Sequence, residues 1–137
     1  MINNQRGFTL IELMLVVIII GALTAMVMPR LAGRTEQAKI SAAQADVTAN
    51  IATALKLYEL DNGRYPSSED GGLQALFAKP GNANNWNGPY LEKKPTDPWG
   101  HEYQYKSPGS RRTYDYDLFS LGQDGIESED DVKNWDA

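Results

Sequence analysis

The stretch Gly7-Phe8-Thr9-Leu10-Ile11-Glu12 decides how the rest of the chain is organised. A short polar leader ends at Gly7, and an apolar run begins at Phe8 and continues to Met28 with Glu12 as its one ionisable residue. Roughly 20 apolar residues at a rise of about 1.5 Å each are enough to cross a bilayer core. A lone carboxylate in such a segment is costly unless something pairs with it. The sequence therefore predicts a membrane-length helix in which Glu12 needs a partner.

Two interpretations of the N-terminal segment require no knowledge of any family. One is a secretory signal peptide, but the apolar run is longer than a typical signal core and no clear A-x-A cleavage site follows it. The other is a permanent single-pass anchor. The charges do not decide its orientation, because Arg6 precedes the apolar run whereas Arg30, Arg34 and Lys39 follow it.

Length and composition limit the function further. The 137 residues suffice for one ordinary domain plus the apolar segment. Lys and Arg number 13 against 18 Asp and Glu, a net charge of −5, which argues against a nucleic-acid binder with a basic face. The absence of cysteine excludes disulfides, thiol catalysis and cysteine metal sites. We therefore expect something other than a disulfide to stabilise any loop-rich part of so small a domain.

The helical pattern continues beyond the apolar run. Asp61-Asn62-Gly63 is typical of a helix end, because glycine adopts the left-handed conformation readily. A nearly continuous helix from Phe8 to Leu60 would be about 80 Å long, and its N-terminal half must pack against lipid or against other copies of itself. Its C-terminal half carries an apolar stripe at three- and four-residue steps: Ile40, Ala43, Val47, Ile51, Ala54, Leu55 and Tyr58.

Gly21 and Pro29 interrupt the apolar segment with weak helix formers. Proline removes a backbone donor and clashes with the preceding turn, and glycine lowers helix stability. These residues predict either a kink where the helix leaves the membrane or a segment that can melt and stretch.

The composition changes after Gly63. A start signal at Ser67-Ser68-Glu69-Asp70 predicts a short helix whose buried side is Leu73, Leu76 and Phe77. Two short alternating runs, 101–105 and 113–120, predict adjacent antiparallel strands. The Asn- and Gly-rich stretch between helix and strands predicts a loop, with two aromatic residues folding back onto the core: Trp86 and Tyr90.

Residues 121–131 form an acidic stretch near the C-terminus, with five carboxylates in eight residues. One interpretation is a solvated acidic tail. Apolar and aromatic residues on both sides instead favour a loop tied to the core at each end. A hard cation with six to eight oxygen ligands, calcium above all, would suit such a loop, although its spacing does not follow the EF-hand pattern.

The residues at the start of the chain resemble a known signature. Gly7-Phe8-Thr9-Leu10-Ile11-Glu12-Leu13 before an apolar helix is similar to the N-terminus of the type IV pilin-like superfamily, which includes the pseudopilins of type II secretion. The resemblance implies that a prepilin peptidase cuts between Gly7 and Phe8 and that Phe8 is N-methylated. It divides the chain into a leader (1–7), a transmembrane and fibre-core helix (8–29) and a soluble domain (30–137). That domain comprises an amphipathic helix half (30–60) and an α/β head (61–137).

Motifs further along the chain resemble the major pseudopilins in particular: Tyr65-Pro66, Asp97-Pro98-Trp99-Gly100, and Ser120-Leu121-Gly122 with Asp124-Gly125. The fold they imply is α+β and pilin-like. One long N-terminal helix, its hydrophobic half protruding, packs on a small C-terminal domain that has a short antiparallel sheet and a calcium-binding loop. In the assembled fibre Glu12 would meet the free N-terminal amine of a neighbouring subunit and set the register, and Gly21 and Pro29 would allow the helix to adapt.

The resemblance also implies one structural Ca²⁺ ion in the acidic loop. The matching ligands are the carbonyl oxygens of Leu121 and Ser128 and the carboxylates of Asp124, Asp130 and Asp131. Bound calcium would supply folding energy where the chain has no disulfide.

The sequence gives little support to catalysis. His101 is the single histidine, and no nucleophile pattern, phosphate loop, zinc spacing or dinucleotide fingerprint accompanies it. Asp115 and Asp117 alternate with tyrosines, so we expect both on one solvent-facing side of a strand rather than as a catalytic pair. A membrane-anchored periplasmic enzyme or inhibitor stays open but unsupported.

The resemblance implies a structural subunit that polymerises into the periplasmic pseudopilus of type II secretion. The alternative is a type IV pilin for adhesion, twitching or DNA uptake, although such pilins often close their C-terminal region with a disulfide. The implied partners are further copies of the chain, minor pseudopilins, the inner-membrane assembly platform, the prepilin peptidase and, before assembly, the membrane, with no nucleic acid. The implied location is the bacterial inner membrane, with the C-terminal domain in the periplasm.

Overall fold

The computed structural model describes residues 7–136. The predicted leader, apart from Gly7, lies outside the described residues. The chain divides into two compact units, the first ending at Gln37 and the second beginning at Ala38. The first unit consists of the apolar part of the N-terminal helix, and the second contains the sheet and the core.

The long N-terminal helix is confirmed, with one interruption. Helix α1 spans Leu10–Ala45 and continues through Gly21 and Pro29. A π-helical segment, Asp46–Asn50, follows, and helix α2 spans Ile51–Asn62. The prediction of regular helix to Leu60 missed this π segment. The end at Gly63 is confirmed, because its φ is 77° and its N–H donates to the Glu59 carbonyl at 2.7 Å.

The start signal at Ser67 leads to two short 3-10 helices, Ser68–Asp70 and Gly72–Leu76, where one short helix was expected. Ser67 and Asp70 form a reciprocal capping box. Gly71 then adopts a φ of 87° and Gly72 a φ of 60°. The left-handed conformation at both glycines prevents a continuous helix.

Three short strands form one antiparallel sheet in the order β1-β2-β3. They are β1 (Gln104–Lys106), β2 (Asp117–Ser120) and β3 (Val132–Lys133). Lys106 pairs with Asp117 at one end of β2, and Ser120 pairs with Val132 at the other end. The two predicted strands were correctly placed as antiparallel neighbours but were predicted too long, and β3 was not predicted.

The core of the second unit joins the apolar stripe of the helices to the sheet. Leu118 of β2 and Tyr103 before β1 pack against it, and Trp86 and Tyr90 fold back onto it as expected. The Trp86 indole N–H donates to the Ala75 carbonyl at 2.7 Å. Of the predicted stripe, Ile40 is half-buried and the others are buried: Ala43, Val47, Ile51, Ala54, Leu55 and Tyr58.

The prediction that Asp115 and Asp117 face solvent is wrong. Asp117 is 5% exposed, and its carboxylate accepts the backbone N–H groups of the three residues from Ser110 to Arg112 at 2.6–2.9 Å. Burial by itself would raise the pKa of Asp117, but the N–H groups outweigh it and hold the pKa below its usual value. Asp115 is half-buried and pairs with Arg112 at 2.6 Å.

Candidate functional sites in the N-terminal helix and the acidic loop

The predicted cleavage site lies just before the first helical residue. Gly7, Phe8 and Thr9 have no regular structure, and α1 begins at Leu10. Phe8 is 83% exposed, and a Cβ built on Gly7 meets no atom within 4 Å. The bond between Gly7 and Phe8 is therefore in an accessible, non-helical segment of the kind a peptidase can bind.

Glu12 is already hydrogen-bonded within its own chain. Its Oε2 atom accepts the Thr9 backbone N–H at 2.8 Å and the Thr9 hydroxyl at 2.9 Å, and Thr9 Oγ1 accepts the Glu12 N–H at 3.2 Å. This reciprocal pattern is a capping box, which satisfies donors that the first helical turn leaves free. Glu12 therefore also caps the start of α1, a role in addition to the predicted pairing with a neighbouring subunit.

The apolar part of α1 is exposed on all sides. Every residue from Gly7 to Thr35 is exposed, and the helical stretch Leu10–Asn62 is the one in the described chain long and apolar enough to cross a membrane. A helix that is apolar all round needs lipid or other helices around it. Gly21 lies inside this segment, and a Cβ there would meet nothing within 4 Å.

The acidic loop is closed at both ends by the sheet, since it leaves β2 after Ser120 and enters β3 at Val132. Inside it, Ser128 touches all three of the aspartates predicted as ligands. Its hydroxyl contacts Asp124 Oδ2 at 3.2 Å and also Asp130 Oδ1, and its backbone N–H donates to Asp131 Oδ2 at 3.2 Å. The loop is therefore a hydrogen-bonded turn tied to the sheet at both ends and not a free tail.

Asp131 is the most unusual of these aspartates. It is 8% exposed, and its Oδ1 atom is buried without a hydrogen-bond partner. Burial raises the pKa of Asp131, and the neighbouring Asp130 and Asp124 carboxylates raise it further. A buried, unsatisfied carboxylate oxygen beside two other carboxylates is unfavourable without a cation.

The donor set suits a hard cation. Asp124, Asp130 and Asp131 offer carboxylate oxygens, the ligand type that calcium prefers. Across residues 7–136, however, no three acidic or histidine side chains converge closely enough to hold a metal ion. The Ser128 hydroxyl lies between the Asp124 and Asp130 carboxylates, so it would have to move for both to bind one ion. The Ser128 carbonyl accepts the Lys133 ammonium at 3.3 Å, so this predicted ligand is already engaged.

A buried group beside the loop was not identified as functional from the sequence. Asp97, 4% exposed, accepts the Ser120 hydroxyl at 2.6 Å and the backbone N–H of His101 at 2.8 Å. His101 Nδ1 lies 3.1 Å from the Gly122 carbonyl, and Ser120 Oγ accepts the Gly122 N–H at 3.1 Å. This network fixes the start of the acidic loop; the motifs 97–100 and 120–122 were the available signal.

The same network argues against a hydrolytic triad. A nucleophilic serine needs histidine as its base, with the acid behind the histidine. Here the fully buried Ser120 hydroxyl donates directly to Asp97 and not to histidine. His101 Nδ1 lies 3.7 Å from Asp97 and 3.1 Å from the Gly122 carbonyl. These contacts hold the loop in place.

Comparisons with known proteins found matches along most of the chain. The family model described as "Type II secretion system (T2SS), protein G" matches residues 30–135, and the "Prokaryotic N-terminal methylation motif" matches residues 2–28. The type II secretion system core protein G of Pseudomonas aeruginosa is 50% identical, over 98% of this chain and 97% of the relative. The core protein G of Vibrio cholerae is 44% identical, over 97% and 93%.

A solved structure is also similar. The crystal structure of the major pseudopilin from the type 2 secretion system of enterohaemorrhagic Escherichia coli aligns with a TM-score of 0.65 and 36% identity. The alignment covers 80% of this chain and 96% of that one.

Proposed function

The chain belongs to the family of protein G of the type II secretion system, and we propose that it is the structural subunit of a periplasmic pseudopilus that drives protein export. The observation that carries the proposal is the exposed apolar helix joined to a head of the protein G family. Such a helix cannot stay in water, so it requires either lipid or a bundle of identical helices. The bilayer supplies the first environment and the fibre core supplies the second.

Processing prepares the subunit for this exchange. A prepilin peptidase cuts between Gly7 and Phe8, and Phe8 is then N-methylated; the match of the methylation motif to residues 2–28 supports this step. Cleavage places a free amine at Phe8. A neighbour's Glu12 is its partner in the fibre, because an amine and a carboxylate attract strongly away from water and a subunit out of register would leave both unpaired.

The capping box at the start of α1 changes what Glu12 exchanges when the subunit enters the fibre. Before assembly, while the subunit is in the membrane, the Glu12 carboxylate accepts hydrogen bonds from the backbone N–H and the hydroxyl of Thr9. On assembly the carboxylate exchanges neutral donors for a charged amine, and charge-assisted hydrogen bonds are the stronger kind. Gly21 and Pro29 are weak helix formers inside α1, so we expect the helix to stretch at these residues as subunits pack.

The subunit's surroundings follow from the same account. Its apolar helix lies in the bacterial inner membrane, and its head lies in the periplasm. The inner-membrane assembly platform adds it to the fibre, minor pseudopilins start the fibre, and further copies make up most of it.

The acidic loop binds one structural Ca²⁺ ion in this proposal. The Asp124, Asp130 and Asp131 carboxylates with the Leu121 and Ser128 carbonyls would hold it. When bound, the ion supplies the positive charge that the buried Asp131 lacks. The hydrogen bonds of Ser120 to Asp97 and to Gly122 fix the backbone on both sides of Leu121. Less of the loop therefore has to become ordered when calcium binds.

A pilin for adhesion, twitching or DNA uptake is not favoured, because the protein G model matches the head itself, residues 30–135. The test is complementation in a type II secretion strain that lacks its own major pseudopilin. We expect the chain to restore export and to yield fibres on overproduction, whereas Gly7→Val should remain unprocessed and restore neither. Export that stays absent, with the chain correctly processed and stable, would overturn the proposal.

A further inference from the structure

The two hairpin loops of the head carry opposite charges at opposite ends of the sheet. The β1–β2 loop, residues 107–116, closes beside the Lys106–Asp117 pair, and the acidic loop, residues 121–131, closes beside the Ser120–Val132 pair. Strand β2 separates them by its whole length, roughly 13 Å at 3.3 Å per residue. The two loops therefore leave the sheet at opposite ends of β2.

The β1–β2 loop presents one unpaired cation beside one exposed aromatic ring. Lys106 donates to the Ser110 hydroxyl at 2.7 Å, and Arg112 pairs with Asp115. The Arg111 guanidinium, by contrast, has no hydrogen bond or ion pair with any described residue, and Tyr114 is 87% exposed. Arginine and tyrosine are among the residue types that contribute most to protein interfaces.

The acidic loop presents the complementary combination. Ile126 is 65% exposed, and Glu127 and Glu129 on either side of Ser128 are exposed. Neither glutamate belongs to the proposed calcium ligands, and neither forms an ion pair with a described residue. Within residues 63–136, Tyr114 and Ile126 are the large hydrophobic side chains left exposed. Each loop therefore has one uncovered apolar group with unpaired charge next to it, and the charges are opposite.

We propose that the β1–β2 loop of one copy docks on the acidic loop of a second copy, with Tyr114 against Ile126 and Arg111 facing Glu127 and Glu129. This proposal rests on the fibre proposed above. The two surfaces differ and lie at opposite ends of the sheet, so the contact is head-to-tail, and a head-to-tail contact that does not close into a ring produces an open helical filament. Each contact is small, and repetition along the fibre multiplies its effect.

A cysteine pair tests the contact directly, because the chain contains no other cysteine. Full-length chains carrying both Tyr114→Cys and Ile126→Cys are assembled into fibres and oxidised. We expect a ladder of covalent multimers from the double variant and monomers from either single variant. The double variant oxidised as a detergent-solubilised monomer is the control for a disulfide within one copy, which needs Cα atoms within about 7 Å of each other, and it should keep free thiols.

Charge reversal provides the second measurement. Arg111→Glu should lower the cross-linked fraction about tenfold or more, because like charges then face each other, and adding Glu127→Arg with Glu129→Arg should restore it. Fibres that form normally while the cysteine pair stays monomeric would overturn the contact and leave the proposed function standing. A parent chain that is processed but forms no fibre would overturn both.

Discussion

The Tyr103 hydroxyl donates a 2.8 Å hydrogen bond to the carboxylate of Asp46, 57 residues earlier in the chain. Asp46 is the first residue of the π-helical segment, and its other oxygen accepts the Asn50 side-chain amide at 2.7 Å. Tyr103 is 5% exposed, and burial, with the hydrogen bond to Asp46, raises its pKa far above the usual value. The contact ties the residue before β1 to the interruption between α1 and α2.

Tyr103→Phe should lower the free energy of unfolding of the detergent-solubilised chain by about 1 kcal/mol, because one buried hydrogen bond is lost while the ring stays. Thermal or urea unfolding measures it. Tyr114→Phe is the matched control, since its hydroxyl is exposed, and it should change nothing. Equal effects of the two substitutions would contradict a structural role for the Asp46 contact.

Asp70→Asn should lower the free energy of unfolding at neutral pH. Arg64 pairs with the buried Asp70 carboxylate and is the main cause of its pKa lying well below the usual value, with Ser67 also contributing. A lowered folded-state pKa means that the stabilisation is complete above the unfolded pKa of about 3.9 and is lost as the pH falls below it. We expect a cost of about 2 kcal/mol at pH 7 that shrinks below pH 4.

The control for Asp70 is Glu69→Gln, because Glu69 is exposed and adjacent. Urea unfolding of the three proteins from pH 3 to pH 7 measures the effect. A difference between parent and Asp70→Asn that does not change with pH would show that the carboxylate charge is not what stabilises this turn.

Asp131→Asn should have opposite effects with and without calcium. The folded-state pKa of Asp131 is raised by burial, so its ionisation costs stability as the pH rises past the unfolded pKa. With chelator present at pH 7, the variant should therefore be more stable than the parent, by about 1 kcal/mol, because a neutral amide costs less to bury. With calcium present, the parent should gain stability and the variant should not.

Melting temperatures of both proteins, measured in millimolar calcium and in chelator, test this crossover. Glu127→Gln, outside the proposed ligand set, should keep the calcium response of the parent. A parent whose melting temperature is the same in calcium and in chelator would contradict the proposed site.

Gly122→Ala should lower the affinity for calcium, whereas the control substitution Gly100→Ala should not. Gly122 has a φ of 66°, and a Cβ there would lie 2.7 Å from Asp130 Oδ2, so the carboxylate would have to move. Gly100 has a φ of 94° but no atom within 4 Å of its Cβ. Both substitutions strain the backbone. In calcium titrations by calorimetry, Gly122→Ala alone should show reduced affinity, and equal affinities would contradict the assignment of Asp130.

Glu12→Gln and Thr9→Ala separate the two roles of Glu12. Thr9→Ala removes the capping box but keeps the carboxylate, whereas Glu12→Gln removes the charge. Both variants should be processed after Gly7, but only Glu12→Gln should fail to form fibres, which electron microscopy and shearing assays measure. Fibres of Glu12→Gln in parental amounts would contradict pairing between Glu12 and the Phe8 amine.

The long helix, the core stripe and the antiparallel pairing could be predicted because each follows from local periodicity and end signals. The burial of Asp117 could not, because the alternation of tyrosine and aspartate over 114–117 is the pattern of a solvent-facing strand. Asp117 is buried because three backbone N–H groups of the preceding loop donate to its carboxylate. The spacing Thr9-x-x-Glu12 is that of a capping box and could have predicted these hydrogen bonds. Only a pairing of Glu12 with another subunit was predicted. The π segment begins at Asp46, whose partner Tyr103 lies 57 residues further along the chain, so no local pattern predicts it.

The intact mass of subunits sheared from purified fibres tests the central claim most directly. Loss of the seven-residue leader from 137 residues leaves 130, and we predict a chain of that length beginning with N-methylated Phe8. Fibres built from chains that retain Gly7, or that are cut elsewhere, would contradict the account.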